Sequence, residues 1–288
     1  MTQLADSVTQ LEPRYSVIIP TLNEAAKIAG AIRSVKSQRP EVEIIVVDGG
    51  SFDLTTKLAS VEGGRVVNSL KGRGTQCNAG VRMASGEVLL FLHADTVLPS
   101  GAFELLTEYF SDPRIQIGSF RLQFDEPNWL LSIYAAFTQL DSLFTRFGDQ
   151  CIVVRKTFFE ELGGFPDWPI FEDVHLLSQA RRRTKIYSFP ARVVTSARRF
   201  LQKGLVRCQL INGWLILQYL LGVSPEKLAQ QYASDRIFEK SFLRLIALFL
   251  GRAMKIFELQ IKRLVIQGGR SLRGFYEWSA KTKDSHKI

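Results

Sequence analysis

The chain has 288 residues, 46% of them hydrophobic, which suffices for one large domain with a sizeable core and an appendage. Its net charge is +9, but residues 236–288 carry +8 and residues 1–235 only +1, so the main body lacks the basic surface that nucleic-acid binding requires. Three widely spaced cysteines, no apolar run as long as a membrane span and no signal-peptide core together predict a cytoplasmic protein without disulfides, zinc or transmembrane helices.

The segment from Tyr15 to about Phe110 alternates the patterns of strands and helices. Apolar runs predict strands over residues 16–19, 43–47, 64–68 and 87–92. Helices are predicted between them, over residues 24–37, 52–59 and 75–84. Such alternation is typical of βαβ units, and it predicts an α/β fold with a mainly parallel sheet flanked by helices.

The pattern changes after Pro113. Further strands are expected over residues 115–124, 151–155, 185–189 and 193–199. Helices are expected over residues 128–147 with Asn128 as the N-cap, over the stretch that ends at Gly163-Gly164 in the left-handed conformation, and over residues 172–183. Everything from Lys203 onward has a helical pattern.

Two of the predicted strands end abruptly in an acidic residue, Asp48 in one case and Asp95, after His93-Ala94, in the other. Buried parallel strands deliver such carboxylates to the carboxyl edge of the sheet, where open α/β folds bind ligands. Asp48 can accept a hydrogen bond from a nucleobase or ribose, or it can simply begin a turn. Asp95 can anchor a hard divalent cation such as Mg²⁺ or Mn²⁺, with His93 as a further ligand or a support.

Two loops offer groups that suit a nucleotide. Pro20-Thr21-Leu22-Asn23-Glu24 follows the first strand, where Thr21 and Glu24 form either a helix capping box or part of a nucleoside site. Lys71-Gly72-Arg73-Gly74 offers two cations and free backbone N–H groups to phosphate oxygens. The alternative for this second loop is an ordinary solvated turn.

Glu172 and Asp173 are adjacent carboxylates at the start of a predicted helix. Acids in this position complement the helix dipole, which is their simplest explanation. The functional alternative is that one of them, Asp173 by preference, removes the proton from an acceptor hydroxyl as that hydroxyl attacks.

The C-terminal part is basic and amphipathic over residues 242–266, with the cations on one arc of the helix and the apolar residues opposite. Such a helix lies in a membrane interface, packs on the main domain or forms a homodimer. We expect four regions in all: a flexible N-terminus (1–14), a catalytic domain (15–202), apolar helices packed on it (203–235) and the basic helical tail (236–288).

These motifs, taken in order, resemble those of family 2 glycosyltransferases with the GT-A fold. The resemblance rests on Pro20-Thr-Leu-Asn-Glu24, Val47-Asp-Gly-Gly-Ser51, Phe91-Leu-His-Ala-Asp-Thr96, Gly163-Gly-Phe165 and Glu172-Asp173. The amino-acid sequences of the stretches that begin at Lys71, Gly148 and Thr195 resemble those of a bacterial subgroup of family members. These are selenodomain- or radical-SAM-associated transferases, some of them linked to arsenosugar synthesis.

The resemblance implies an inverting transfer of a sugar from a nucleotide diphosphate to an acceptor hydroxyl. It implies roles for thirteen residues: Pro20, Thr21, Glu24, Asp48, Lys71, Arg73, Arg198 and Arg199 in binding the nucleotide-sugar, Asp95 and His93 at a Mg²⁺ or Mn²⁺ ion, Asp149 on the acceptor side, and Glu172 beside Asp173 as the base. His93 replaces the first acid of the family's usual Asp-x-Asp motif.

Two other functions remain open from the sequence. A sugar nucleotidyltransferase also uses a parallel sheet and a carboxylate-bound metal, but it usually has a Gly-rich loop where this chain has Pro20-Thr-Leu-Asn-Glu24. A degenerate transferase fold that serves as a membrane-associated adaptor is the non-enzymatic alternative. The acceptor is either a small molecule or a lipid, and the tail allows contact with the inner face of the cell membrane.

Overall fold

The computed structural model describes residues 14–137 and 148–233. The chain divides into two units, residues 1–229 and 230–288, and nearly all of the described part belongs to the first. The expected tail over residues 236–288, with its amphipathic stretch over residues 242–266, lies outside the described residues, as do residues 1–13. No helix of the described ranges is long and apolar enough to cross a membrane.

Strands and helices alternate through the first half of the chain, and helices predominate at the end. The strands of the described part are β1 (Tyr15–Thr21), β2 (Glu43–Asp48), β3 (Arg65–Asn68), β4 (Val88–Phe91), β5 (Thr96–Val97), β6 (Ile117–Phe124), β7 (Ile152–Arg155) and β8 (Tyr187–Thr195). Its helices are α1 (Ile28–Lys36), α2 (Thr55–Val61), α3 (Arg73–Met83), α4 (Ala102–Phe110), α5 (Trp129–Phe137), α6 (Lys156–Glu161), α7 (Glu172–Arg181), α8 (Arg198–Lys203), α9 (Leu205–Leu220) and α10 (Pro225–Ala233).

The strands form one mixed sheet in the order β3-β2-β1-β4-β7-β6-β8-β5. Strands β3, β2, β1 and β4 are parallel to one another, whereas β7 runs antiparallel to both β4 and β6. The chain moves outward from β1 to β3 and then returns to the other side of β1 for β4. That reversal is a topological switch point, and it opens a crevice at the carboxyl ends of β1, β2 and β4.

The hydrophobic core lies on both faces of the sheet because neighbouring strand residues point to opposite sides. Val17 and Ile19 of β1 belong to one apolar cluster, and Ile18 between them belongs to the other. Helices α1 and α4 cover the first face, whereas α3 and α7 cover the second. The parallel pairing of β1, β2, β3 and β4, with helices on both faces of the sheet, confirms the predicted α/β fold with a mainly parallel sheet.

Local sequence signals give mixed results. Asn128 does cap α5, since its side-chain oxygen accepts a hydrogen bond from the Leu130 N–H at 2.9 Å. Gly163 and Gly164 take the predicted left-handed conformation after α6, with φ of 83° and 73°. The capping box at Thr21 and Glu24 is wrong: Thr21 ends β1, and α1 begins only at Ile28.

The two strands predicted over residues 185–189 and 193–199 are also wrong, because β8 is one strand from Tyr187 to Thr195. Pro190, which has no N–H to donate, falls where the register between β6 and β8 is irregular, between the pairs Ser119–Ser188 and Arg121–Arg192. Such a bulge accommodates the proline without ending the strand.

Candidate active site

The crevice at the carboxyl edge of the sheet collects the ends of three neighbouring strands. Thr21 at the end of β1 is paired with Asp48 at the end of β2. The end of β4 lies on the other side of β1 and leads into His93 and Asp95. The structure therefore brings the predicted motifs of the first half of the chain to one edge, as parallel topology requires.

Asp48 is bound within its own turn. It is 4% exposed, and its Oδ2 accepts hydrogen bonds from the backbone N–H groups of Gly50 and Ser51 at 3.0 and 2.8 Å. Its Oδ1 accepts a third hydrogen bond, from the Ser51 hydroxyl at 2.5 Å. The simpler of the two sequence interpretations, that Asp48 begins a turn, is thus realised, and its contact with a nucleoside stays a prediction.

Gln76, which the sequence interpretation missed, joins the strand ends. Its buried side-chain nitrogen donates hydrogen bonds to the carbonyl oxygens of Thr21 at 2.9 Å and Val47 at 2.7 Å. No local signal singled it out, because α3 also carries the polar residues Thr75, Asn78 and Arg82. The Thr21 hydroxyl itself is buried and has no hydrogen-bond partner within the described part of the chain.

Glu24 and Arg198, both predicted to bind the nucleotide-sugar, meet although 174 positions separate them in sequence. The Nη2 of Arg198 donates to Oε1 and Oε2 of Glu24 at 3.0 and 3.1 Å. Burial raises the pKa of Glu24, and the charge of Arg198 opposes that shift. The neighbouring predicted cations, Arg199 on α8 and Lys71 before α3, are exposed.

A cavity beside this crevice is lined by the predicted catalytic residues. Its lining includes the charged or polar residues Arg73, His93, Glu172 and Asp173, together with Pro20 and Gly148. Apolar side chains that include Phe91 and Phe165 also line it. The structure therefore joins the loop after β4, the start of α3 and the start of α7 around a single space.

Asp173 is fixed by two backbone donors. The Gly148 N–H donates to its Oδ2 at 2.6 Å, and the Val174 N–H donates to its Oδ1 at 2.7 Å. Gly148 is required for this approach, because a Cβ there would lie 3.1 Å from the Asp173 Oδ2 and 3.5 Å from the His93 Nε2. Each carboxylate oxygen keeps a lone pair for a substrate hydroxyl.

Glu172 directly precedes Asp173 and forms an ion pair with Arg73. It is 2% exposed, and its Oε1 accepts a hydrogen bond from the Arg73 Nη1 at 3.3 Å. Burial and then the charge of Asp173 raise the pKa of Glu172. Burial and then the charge of Arg73 lower the pKa of His93 to about 3, so this imidazole is neutral at pH 7.

Asp149 and Asp95 are buried acids with raised pKa values, and their predicted roles, Asp149 on the acceptor side and Asp95 at a metal, stay predictions. The Oδ1 of Asp149 is buried and has no hydrogen-bond partner among the described residues. Burial and then the charge of Asp173 raise the pKa of Asp149 to about 7, and Asp95 adds to that shift. Burial also raises the pKa of Asp95. An unpaired carboxylate oxygen beside a second acid suits a hard cation.

A cation here would also need ligands from outside the chain. The described residues contain no cluster of three or more His, Cys, Asp and Glu side chains that could hold a metal by themselves. Diphosphate oxygens are suitable partners for Mg²⁺, which is usually bound by one or two carboxylates plus substrate phosphates. The donor set thus fits a metal that binds together with a nucleotide, and the role of His93 at that metal stays a prediction.

Strained backbone marks the same neighbourhood. The described residues other than glycine with positive φ are Asn23 at 56°, Cys151 at 51° and Phe171 at 64°. Asn23 precedes Glu24, and Phe171 precedes Glu172. Cys151 follows the short turn that carries Asp149. Left-handed backbone outside glycine is uncommon and tends to persist at functional sites, so the geometry singles out the three predicted segments.

The ends of β1, β2 and β4 at the switch point, next to a cavity lined in part by Glu172 and Asp173, form the kind of edge at which open α/β folds bind ligands. Residues 16–159, which are half of the chain, match the family described as Glycosyl transferase family 2. The chain therefore belongs to glycosyl transferase family 2. This confirms the family that the motifs predicted, whereas the arsenosugar-type subgroup stays a prediction.

Relatives of known name support this assignment. The chain is 38% identical over 94 residues to a PGL/p-HBAD biosynthesis glycosyltransferase of Mycobacterium bovis, covering 30% of this chain and 37% of that protein. It is 28% identical over 191 residues to glycosyltransferase AglE of Haloferax volcanii, covering 60% of this chain and 63% of AglE. The chain thus spans less than two thirds of either relative.

A solved structure shows the same fold. The mannosyltransferase PcManGT from Pyrobaculum calidifontis, in complex with GDP-Man and Mn²⁺, superposes with a TM-score of 0.54 at 18% identity. The match covers 85% of this chain and 81% of that one. The GT-A type of fold predicted from the motifs is confirmed by this likeness.

Proposed function

We propose that the protein is a glycosyltransferase that moves a sugar from a nucleotide diphosphate to an acceptor hydroxyl with the help of a divalent metal. The observation that carries the proposal is the cavity in which Asp173, held by two backbone donors, faces Arg73 and His93 at the edge of the nucleotide crevice. Family membership and the nucleotide-sugar bound by the structural neighbour support it.

Asp173 acts as the general base. As the acceptor oxygen forms a bond to the anomeric carbon, its proton passes to the carboxylate of Asp173. The bond from the anomeric carbon to the diphosphate oxygen breaks, and the electron pair leaves with the nucleoside diphosphate. Attack from the side opposite the leaving group inverts the anomeric configuration.

The donor is held on the crevice side of the cavity. Pro20, Thr21 and Asp48 lie at the strand ends where a nucleoside would bind. Lys71 and Arg73, with Arg198 and Arg199 across the crevice, supply positive charge for the two phosphates. Asp95, with Asp149 beside it, would hold Mg²⁺ or Mn²⁺, which would stabilise the charge that develops on the departing diphosphate.

The alternatives from the sequence receive less support. A sugar nucleotidyltransferase does not agree with membership of a glycosyltransferase family. A non-catalytic adaptor has no need of a buried carboxylate cluster, which is costly unless it binds or reacts. Location at the inner face of the membrane and a homodimer through residues 242–266 stay predictions, since that segment lies outside the described residues.

Incubation of the full-length protein with UDP-, GDP-, dTDP- and CDP-sugars, with and without Mn²⁺, tests the proposal. We expect slow release of a nucleoside diphosphate from one donor class, increased by the metal and reduced by Asp95→Asn. Asp112→Asn serves as the control, because Asp112 is an acid with a 30% exposed side chain, paired with Arg114 at 2.8 Å and absent from the lining of the cavity. Pyrophosphate formation from a nucleoside triphosphate, or no reaction with any donor, would contradict the proposal.

A further inference from the structure

Two arginines lie side by side on neighbouring strands of the sheet. Arg121 of β6 is paired in register with Arg192 of β8, and the two strands are parallel. Residues that pair in this way point to the same face, and their backbones lie about 5 Å apart. Like charges placed directly opposite each other destabilise a sheet unless something between them offsets the repulsion. We call these two residues the arginine pair.

The bulge in β8 creates the arginine pair. Ser119 of β6 is paired with Ser188 of β8. An unbroken register would therefore place Pro190 opposite Arg121. The irregularity adds two residues to β8, and Arg192 takes that position instead. Bulges re-aim side chains and are common next to active sites. The feature that accommodates the proline thus also brings the second cation opposite the first.

The arginine pair lies on the face of the sheet that carries the cavity described above. Ile152 of β7 lines that cavity and belongs to the second apolar cluster, as does Ile117 of β6. Phe120 and Leu122, which flank Arg121, belong to the first cluster, so Arg121 points to the second face. Because β7 is antiparallel to both neighbours, β6 runs in the same direction as β4. Arg121 therefore lies toward the carboxyl edge, where the predicted catalytic residues meet.

Both guanidinium groups are available to a ligand. Arg121 is half-buried, and its Nε is enclosed without a hydrogen-bond partner, whereas its two terminal nitrogens are not enclosed. Arg192 is exposed. Neither arginine forms a hydrogen bond or an ion pair within residues 14–137 and 148–233. Burial of the inner part of Arg121 restricts this side chain, so less entropy is lost when a ligand binds it.

The acids that flank these strands do not neutralise the arginine pair. Four acids come just before or after β5, β6 or β7 at this edge: Asp95, Asp125, Glu126 and Asp149. Asp125 is paired with Lys27 at 3.2 Å, and none of these four forms an ion pair with either arginine. After β8 the chain adds two further cations, Arg198 and Arg199, of which Arg198 is paired with Glu24. The arginine pair therefore keeps both positive charges without an acidic partner.

We infer that the arginine pair binds a phosphate group, separately from the place predicted for the donor diphosphate. The planar guanidinium forks match phosphate oxygens, and an oxyanion between them offsets their repulsion. Gln123, exposed two positions after Arg121 on the same face, offers an amide donor beside them. The cations predicted for the donor lie on other elements: Lys71, Arg73, Arg198 and Arg199. A free phosphate ion and a phosphate ester share this chemistry, and the experiments separate them.

Arginine Nε–H NMR spectra of the full-length protein, titrated with inorganic phosphate at about 0.15 M ionic strength, test the inference. The signals of Arg121 and Arg192, identified by their loss in Arg121→Lys and Arg192→Lys, should shift together with one dissociation constant. Arg82 gives the matched control signal, because it is an exposed arginine on α3 with no ion pair among the described residues. If the two signals stayed fixed, or moved no further than that of Arg82, the inference would be wrong.

Affinities in variants separate this site from the donor site. Arg192→Gln should weaken phosphate binding about tenfold, because a charge-assisted pair is lost. Arg82→Gln should stay within about twofold of wild type. The basic residues 236–288 attract phosphate in every variant, so the differences between variants carry the result. Phosphate binding that is lost in Arg73→Gln but kept in Arg192→Gln would place the ion among the donor's cations and overturn the inference.

A comparison of ligands identifies the source of the phosphate. Glucose 6-phosphate that binds about tenfold more tightly than inorganic phosphate, through the same two arginine signals, would identify a phosphate ester. Equal affinities would identify the free ion. Glucose, which has no phosphate, should shift neither signal. Equal shifts with glucose and with glucose 6-phosphate would overturn the inference, because the phosphate would then contribute nothing.

Discussion

Asp48 and Asp173 are buried carboxylates at the same edge of the sheet, yet their surroundings differ. Asp48 accepts three hydrogen bonds from Gly50 and Ser51, all within one turn. Asp173 accepts one hydrogen bond from its own helix and one from Gly148, 25 positions away, and it lines a cavity together with Glu172 and Arg73. The first arrangement stabilises a loop, and the second brings two acids and a cation together around one small cavity.

This contrast shows how to distinguish acids that shape a site from acids that react in it. When all hydrogen bonds to a carboxylate come from its own turn, a few neighbouring residues are enough to build the arrangement. A group of acids that raise one another's pKa is unfavourable for folding, and such groups are found where binding or chemistry uses them. The contrast predicts that changes at the two places affect different measurements.

The largest effect is expected for Asp173→Asn, which removes the proton acceptor and keeps the size of the side chain. We expect kcat to fall by about 10²–10⁴ while the donor KM changes by less than about threefold. Steady-state kinetics at saturating acceptor would show it, with Asp112→Asn as the control. A variant that turns over within a few-fold of wild type would remove Asp173 from the role of base.

Asp149 should make stability depend on pH. Its pKa is raised to about 7 in the folded chain, so between about pH 4 and 7 the folded state binds a proton that the unfolded state has lost. The free energy of unfolding should therefore fall as the pH rises through this range, by roughly 1–4 kcal/mol. Denaturant melts of metal-free protein should show this loss in wild type and a smaller one in Asp149→Asn. Equal pH dependence of the two proteins would contradict the account.

Gly148→Ala should impair catalysis without removing a chemical group. The added Cβ would lie 3.1 Å from the Asp173 Oδ2, so the carboxylate must move, and we expect kcat to fall by about 10- to 100-fold. Gly30→Ala on α1 is the matched control, because a Cβ there meets nothing within 4 Å. If both variants had wild-type kcat, the position of Asp173 would not matter in the way proposed.

The smallest effect is expected for Asp48→Asn. The substitution replaces one carboxylate oxygen, which accepts hydrogen bonds in the turn, with an NH₂ group that can only donate. We therefore expect the free energy of unfolding to fall by about 1–2 kcal/mol. The donor KM should rise several-fold because the turn borders the nucleoside side of the crevice, with kcat within about threefold of wild type. A kcat loss as large as that of Asp173→Asn would erase the distinction between the two acids.

The parallel half of the fold is predictable because its signals are local. Apolar runs that end at Asp48 or His93 identify buried strands, and Asn128 is recognisable as a cap from its immediate neighbours. The continuous strand β8 is not predictable in this way. Pro190 indicates a break, and only the bulge opposite β6 explains why the strand continues.

The candidate site is predictable as a set of residues but not as an arrangement. Motifs indicate Asp95 and Asp173, yet the pair of Glu24 with Arg198 joins positions 174 apart, which no local pattern encodes. The same holds for Gln76, whose bonds to Thr21 and Val47 depend on how α3 lies on the sheet. Tyr219 comes from a helix beyond the recognisable motifs, so its ring contacts with Trp168 and Phe171 appear only in the folded chain.

In the proposed reaction Asp173 takes a proton and never forms a bond to the sugar. Proton NMR of the sugar product within the first minutes of reaction, before the free sugar equilibrates between anomers, tests this directly. The account predicts a product whose anomeric configuration is opposite to that of the donor. A product that retains the donor's configuration would require a covalent or otherwise double displacement, and it would contradict the account.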